Sequence, residues 1–274
     1  MLATAAALKI SRLYHYTPFN DVRLARILTE RTLYCSNPQD FNDPWDCRPC
    51  FSKDVLNEPS GQERVAEWFA RVGRKHFPSL PEAEHQRREQ ILRSDKAFVA
   101  ARIEEMTSAI WGAVQKQYRV FCVSPLPDAP LMWAHYARSH TGVCLEFSVS
   151  NELMCGALPV TYLDQYPVFD LSDPDAEHAL SALLTKSRDW GYEREFRVVA
   201  AAAGYDFQNL LRTKENFVDL PEGALISIIV GCLMPESDRQ VVRKLVNGSR
   251  YPIALKEARR VPDSYSLDIR SIDG

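Results

Sequence analysis

Apolar residues change their spacing several times along this chain, and each change marks an expected element. Arg12-Leu-Tyr-His-Tyr-Thr17 is aromatic and β-branched and stops at Pro18, which predicts an opening strand. Asn20 or Asp21 caps the helix expected next, with Val22, Leu24, Ile27 and Leu28 along one side. A second strand is expected over 32–36, closed by Asn37-Pro38. The run Asp40-Phe-Asn-Asp-Pro-Trp-Asp46 after it is dense in turn formers. From about 61 to 117 the period turns helical: Ile91, Leu92, Phe98, Val99, Ile103, Met106, Ile110 and Val114 recur at helical steps. Two or three helices inserted between strands are expected there, with Pro78 and Pro81 separating the first from the next.

Strands resume over 118–124 and 141–149, where Val143, Leu145 and Phe147 face one way and Cys144, Glu146 and Ser148 the other. Between them, Leu131–Ala137 reads as one or two helical turns after Pro130. A strand over 159–163 leads through a proline- and aspartate-rich loop to a helix expected over about 175–189. Residues 192–200 alternate again, so a strand is expected with Glu193, Glu195 and Arg197 on one face. The unbroken apolar run over 225–232 predicts a strand buried on both sides. A helix follows from Pro235 with Val241, Val242, Leu245 and Val246 as its stripe, then two short strands near Ile253 and Leu267. No repeat or linker divides the chain. The expected fold is one mixed α+β domain over 1–274, with a mainly antiparallel sheet core and a helical insertion at about 61–117.

Composition narrows the function classes. With 46% apolar and 25% charged residues, a disordered chain, a collagen-like fibre and a coiled-coil rod are excluded. A net charge of −3 carries no strong nucleic-acid signal. No uncharged apolar run approaches the ~20 residues that span a bilayer, so no membrane partner is expected. The opening MLATAAALKI lacks a basic start and reads as a mobile or helical extension, not a signal peptide. Cys122, Cys144 and Cys232 sit in apolar runs, which suits buried free thiols in a reducing cytoplasm. Cys47 and Cys50 form a CxxC with no second pair to complete a zinc site, and Pro49 between them suggests an extended segment. His135 and His140 do not share a helical face, so no metal is expected. Dinucleotide-fold, P-loop, zincin and hydrolase motifs are absent from the sequence.

Three clusters hold more polar and aromatic groups than packing needs. They are Tyr14–Thr17 with Ser36 and the Asn42 turn, Trp133–His140, and Trp190–Arg197. In that order, LYHYT, FNDPWD, MWAHYARSHTGVCLEF and WGYEREFRV resemble the bacterial family catalogued as Domain of Unknown Function 2971, over about Tyr14 to Cys232. That family label carries no established activity. The opening strand, short helix and LYCS strand also resemble the start of ADP-ribosyltransferase folds. That likeness implies a split β-sandwich binding NAD, with His15 first, Ser36 or Tyr136 second, and Glu193 or Glu195 third in a catalytic set. It further implies Tyr16, Thr17, Asn42, Trp133, Tyr192 and Arg197, with His15 and Ser36, as residues around the cofactor. The long helical insertion departs from that pattern.

The chemistry implied is cleavage of the N-glycosidic bond of NAD, which builds positive charge on the ribose that a fixed carboxylate stabilises. Such an enzyme would be an ADP-ribosyltransferase or NAD glycohydrolase, acting in a bacterial cytoplasm as a toxin, effector or defence component on an unidentified macromolecular acceptor. An alternative is a non-catalytic module that binds a nucleotide or a protein through the same cleft. A third is a Mg²⁺-dependent phosphoryl-transfer enzyme built on Asp40, Asp43 and Asp46. Each residue also has a structural reading: Glu193, Glu195 and Arg197 as a solvated strand face, His15 as a histidine bonded to backbone, and Trp133, Tyr136 and Trp190 as core anchors.

Overall fold

The structure is a computed structural model, which describes residues 3–48, 50–169, 178–208 and 210–272. In chain order these form β1 (Arg12–Thr17), α1 (Asp21–Thr29), β2 (Thr32–Tyr34), β3 (Cys50–Phe51), α2 (Pro59–His76), α3 (Glu82–Ser94) and α4 (Lys96–Gln117). Next come β4 (Tyr118–Val123), α5 (Pro130–Tyr136), β5 (Val143–Ser148), β6 (Leu158–Pro159), β7 (Thr161–Leu163) and β8 (Val168–Phe169). They are followed by α6 (His178–Leu183), β9 (Thr185–Ser187), β10 (Phe196–Ala201), β11 (Leu211–Arg212), β12 (Phe217–Asp219) and β13 (Leu225–Val230). α7 (Glu236–Asn247), β14 (Ala254–Arg260) and β15 (Leu267–Ser271) come last. This is an α+β fold with mixed sheets. Among the described residues no helix is long and apolar enough to cross a membrane.

The chain divides into two compact units. The first comprises Met1–Asn42, Gln117–Tyr162 and Lys186–Gly274. Its five-stranded sheet runs β1-β5-β13-β14-β15, antiparallel throughout except for the parallel pair β13–β14 that α7 connects. A second sheet sets β10 between antiparallel β4 and parallel β11, with β6 also on β10. Tyr14 and Ser124 exchange backbone hydrogen bonds of 2.7 and 2.8 Å and so tie β1 of one sheet to the end of β4 of the other.

Alternation along β1 then distributes its side chains. Leu13, His15 and Thr17 pair with Phe147, Leu145 and Val143 on the face of the main core. Tyr14 and Tyr16 point to the opposite face, where Tyr16, Trp133, Cys144 and Ile229 form a second cluster.

In α1, Asn20 caps the first turn by accepting from the Arg23 amide at 2.8 Å, and Leu24, Ile27 and Leu28 are buried. Val22 is 72% exposed, against the expectation, because it lies about 200° round the helix from Leu24. Val242 and Val246 form the buried stripe of α7, and Val241, about 100° round the helix from Val242, is exposed.

The second unit, Asp43–Lys116 with Leu163–Thr185, holds the expected helices α2, α3 and most of α4. Val65, Ala66, Leu92, Val99 and Ile103 pack there with Phe51 and Leu56.

Two expected elements are corrected. Residues 188–193 form 3₁₀ turns, Arg194 is left-handed (φ 47°), and the strand begins only at Phe196. The helix expected over 175–189 is a single short one, α6, followed by β9; residues 175–177 lie outside the described residues. All seven cysteines are free thiols.

Candidate functional site

β1, α1, β2 and β4, with the end of α5, enclose a cleft of about 230 Å³. His15 and Thr17 come to it from β1, Arg23 and Arg26 from α1, Ser36 from just beyond β2, and Tyr136 from the last position of α5. Among the described residues no carboxylate lines it. Arg26 is paired with Glu30 at 2.7 Å and stacks over the Phe217 ring at 3.8 Å. Arg23 donates to Thr17 Oγ1 at 3.2 Å and pairs with no carboxylate among the described residues, so the cleft mouth carries positive charge.

His15 is locked by its neighbours. Nδ1 lies 2.8 Å from the Cys122 carbonyl, which can only accept, so Nδ1 carries the proton. The ring stacks on Phe121 at 4.3 Å. Burial pushes its pKa down to about 4, the Cys122 carbonyl opposing and Arg23 reinforcing. At neutral pH the imidazole is therefore uncharged, and Nε2 is a hydrogen-bond acceptor.

Tyr136 links the cleft to a buried charge cluster. Its hydroxyl donates to Glu193 Oε1, and the Asn42 side chain is bonded to the same hydroxyl. Lys186 Nζ lies 2.6 Å from Glu193 Oε2 and 3.4 Å from Glu195 Oε2. Arg197 holds Glu195 through two bonds, at 2.8 and 3.1 Å. Two carboxylates thus face two cations out of solvent, a pairing that makes their burial tolerable. Burial raises the pKa of Glu193, Lys186 pulls it back, and the neighbouring Glu195 charge adds to the rise; the net direction is upward. For Glu195 burial is outweighed by Arg197 and Lys186, and its pKa falls to about 2. Tyr136 stays a phenol: burial raises its pKa, Lys186 opposes, and the Glu193 charge raises it further.

The expected site residues therefore separate. His15, Tyr16, Thr17, Ser36 and Tyr136 line the cleft, and Glu193 and Asn42 stand behind Tyr136. The ring of Tyr16 also packs edge to face on Trp133 at 5.3 Å, in the second cluster, where Trp133 sits away from the cleft. Trp133 is fully buried and donates from Nε1 to the Pro127 carbonyl at 2.9 Å, so neither of its faces is open to a ligand. Arg197 is fully buried as well, holding Glu195 and lying over the Phe41 ring at 5.3 Å. Tyr192 packs with His135 and Trp190, each ring centroid 6.2 Å away, and burial raises its pKa. Glu193 and Glu195 do not form a solvated strand face, because both are buried and the backbone between them turns left-handed. Of the acidic turn, Asp43 accepts from the Trp45 amide at 2.9 Å and Asp46 from the Cys47 thiol at 3.3 Å.

Arg23, Arg26 and Lys186 escaped the sequence reading. Arg23 left a signal, since a cation in the first turn of a helix works against the helix dipole and calls for another reason to be there. Lys186 left none; it fell inside a segment expected to be helical. Comparison with protein-family models, curated proteins and solved structures gives no match for this chain.

Proposed function

We propose that the chain binds the nicotinamide–ribose half of NAD in the His15 cleft and cleaves its N-glycosidic bond as an ADP-ribosyltransferase-like enzyme, nicotinamide leaving with the bonding pair and the ADP-ribosyl group passing to water or to an acceptor nucleophile. The observation that carries the reading is the cleft's chemistry: two guanidiniums, a neutral imidazole, the hydroxyl-bearing Thr17, Thr32, Tyr34, Ser36 and Tyr136, and no lining carboxylate, with Tyr136 joining it to buried Glu193. Such a donor set suits a phosphorylated sugar. Arg23 and Arg26 match pyrophosphate oxygens, and Nε2 of His15 matches a ribose hydroxyl. At about 230 Å³ the cleft is below the ~300 Å³ of ordinary ligand sites, which suits one half of a dinucleotide and not the whole.

Bond cleavage leaves cationic character on the ribose. The Tyr136–Glu193 unit supplies a buried negative charge behind the cleft wall, in a setting dry enough to make it effective. Glu195, tied up by Arg197, would act only by holding Lys186 and so setting the charge on Glu193.

A second reading rests on a different observation. Glu193 is 2% exposed and already paired with Lys186, which suits a module that binds a nucleotide without turning it over. One experiment separates the two. The protein is incubated with NAD while nicotinamide release and thermal shift are followed for the native chain, Arg23→Gln and Tyr136→Phe. Release that drops about tenfold or more in Tyr136→Phe supports the enzyme. A shift without release, lost in Arg23→Gln, supports the binding module. Neither release nor shift in the native chain sinks both.

A further inference from the structure

A second, larger hollow of about 780 Å³ lies at the carboxyl ends of the parallel strands β13 and β14. Cys232 and Leu233 follow β13, Arg259 and Arg260 end β14, and the turn 261–266 before β15 closes one side. The crevice beyond the carboxyl ends of parallel strands joined by a helical crossover is a recurrent place for ligands, because the chain there is free to form loops. The hollow is also of ordinary ligand-site size, between ~300 and 1,000 Å³.

Its back wall is built on unusual backbone. Arg138, Ser139 and His140 are all left-handed (φ 47°, 53° and 66°), a conformation L-residues seldom adopt even singly. Backbone bonds from Ser139 to Ala134 and from His140 to Trp133, both 3.1 Å, hold this turn against the end of α5. Gly231 lets the next strand end approach: a Cβ there would lie 2.1 Å from the His140 carbonyl oxygen. The turn brings His140 to the wall of the hollow; its Nδ1 is buried without a hydrogen-bond partner.

The charges in the wall are unequal in their engagement. Glu257 is taken by Arg239, at 3.3 Å, and by Arg259. Arg239 is further anchored to the Met234 and Gly231 carbonyls at 3.1 and 2.9 Å. Arg260 has no carboxylate partner among the described residues; Asp263 at the turn is the remaining acid of the lining. Leu233 is half-exposed, and Tyr265 is as open as in an extended chain, at 105%. An apolar rim beside an unpaired guanidinium and an unsatisfied imidazole nitrogen fits a molecule with a flat apolar body and an anionic head.

We propose that this hollow binds a small aryl anion of the phosphate-ester or carboxylate type, with Arg260 and His140 holding the charged head and Leu233, Pro262 and Tyr265 the apolar body. The inference is independent of the reading of the His15 cleft. The full chain is titrated with 2-naphthyl phosphate by calorimetry, alongside 2-naphthol and inorganic phosphate. The expected result is saturable binding of the ester, with each fragment at least about tenfold weaker. Arg260→Gln, on an exposed side chain, lowers affinity about tenfold, and His140→Asn, which keeps a residue at ease in the left-handed region, lowers it severalfold. Arg23→Gln leaves it unchanged. The proposal is overturned if the native chain shows no saturable binding. Binding that survives Arg260→Gln and His140→Asn combined, or that is lost in Arg23→Gln instead, overturns it equally.

Discussion

Tyr136 belongs to two environments at once, with one side on the cleft and its hydroxyl on a buried carboxylate. Removing that hydroxyl takes a donor from a charged acceptor, and Tyr136→Phe is expected to cost about 1.5–3 kcal/mol in denaturant unfolding. Lys186 carries more, because it faces both glutamates. Lys186→Met strands excess negative charge in the interior and should cost about 3–5 kcal/mol. Adding Glu193→Gln to Lys186→Met should recover part of that loss; a purely additive double variant would show that the two do not act as a pair. His15 supplies a pH signature. Its folded pKa of about 4 lies below the ordinary 6.5, so the unfolded chain binds the proton first as pH falls. Stability from this group is complete above 6.5 and drains away down to 4. His15→Gln should flatten the Tm profile across that window, and a profile equally steep in the variant would show that His15 is not its source. Glu195 acts lower down: folded near 2 against an ordinary 4.5, it contributes above 4.5 and loses that contribution as pH falls towards 2.

Among the elements, the glycines separate close packing from mere flexibility. A Cβ at Gly142 would lie 2.4 Å from the Thr17 carbonyl oxygen, so the start of β5 presses on the end of β1. Gly112, inside α4, would meet nothing within 4 Å. Gly112→Ala is therefore expected to stabilise by about 0.5–1 kcal/mol, and Gly142→Ala to destabilise by more than that, both read from chemical denaturation. Strands β1, β4, β5 and β13 and helices α1 and α7 were legible because alternation, caps and apolar stripes are local signals. The segment 192–195 was not. Tyr-Glu-Arg-Glu has the period of a strand, yet Lys186 and Tyr136 draw Glu193 inward and Arg194 takes the left-handed turn that this requires.

For the chain taken entire, seven free thiols predict that a strong reductant leaves Tm unchanged; a drop in Tm would mean that a disulfide contributes. The first unit owes its mixed sheets to runs that any pairing partner could have used. Which strands became neighbours depended on contacts far apart in sequence, such as the bridge from Tyr14 to Ser124. The amino-acid order was enough to establish an α+β chain with a helical block and a polar, aromatic opening strand, because periodicity and turn chemistry act over a few residues. It was not enough to show that Arg23 stands beside His15, that Glu193 is interior, or that the end of β14 opens a second hollow. Those facts depend on burial and charge pairing between distant segments, and burial exists only once the chain has folded.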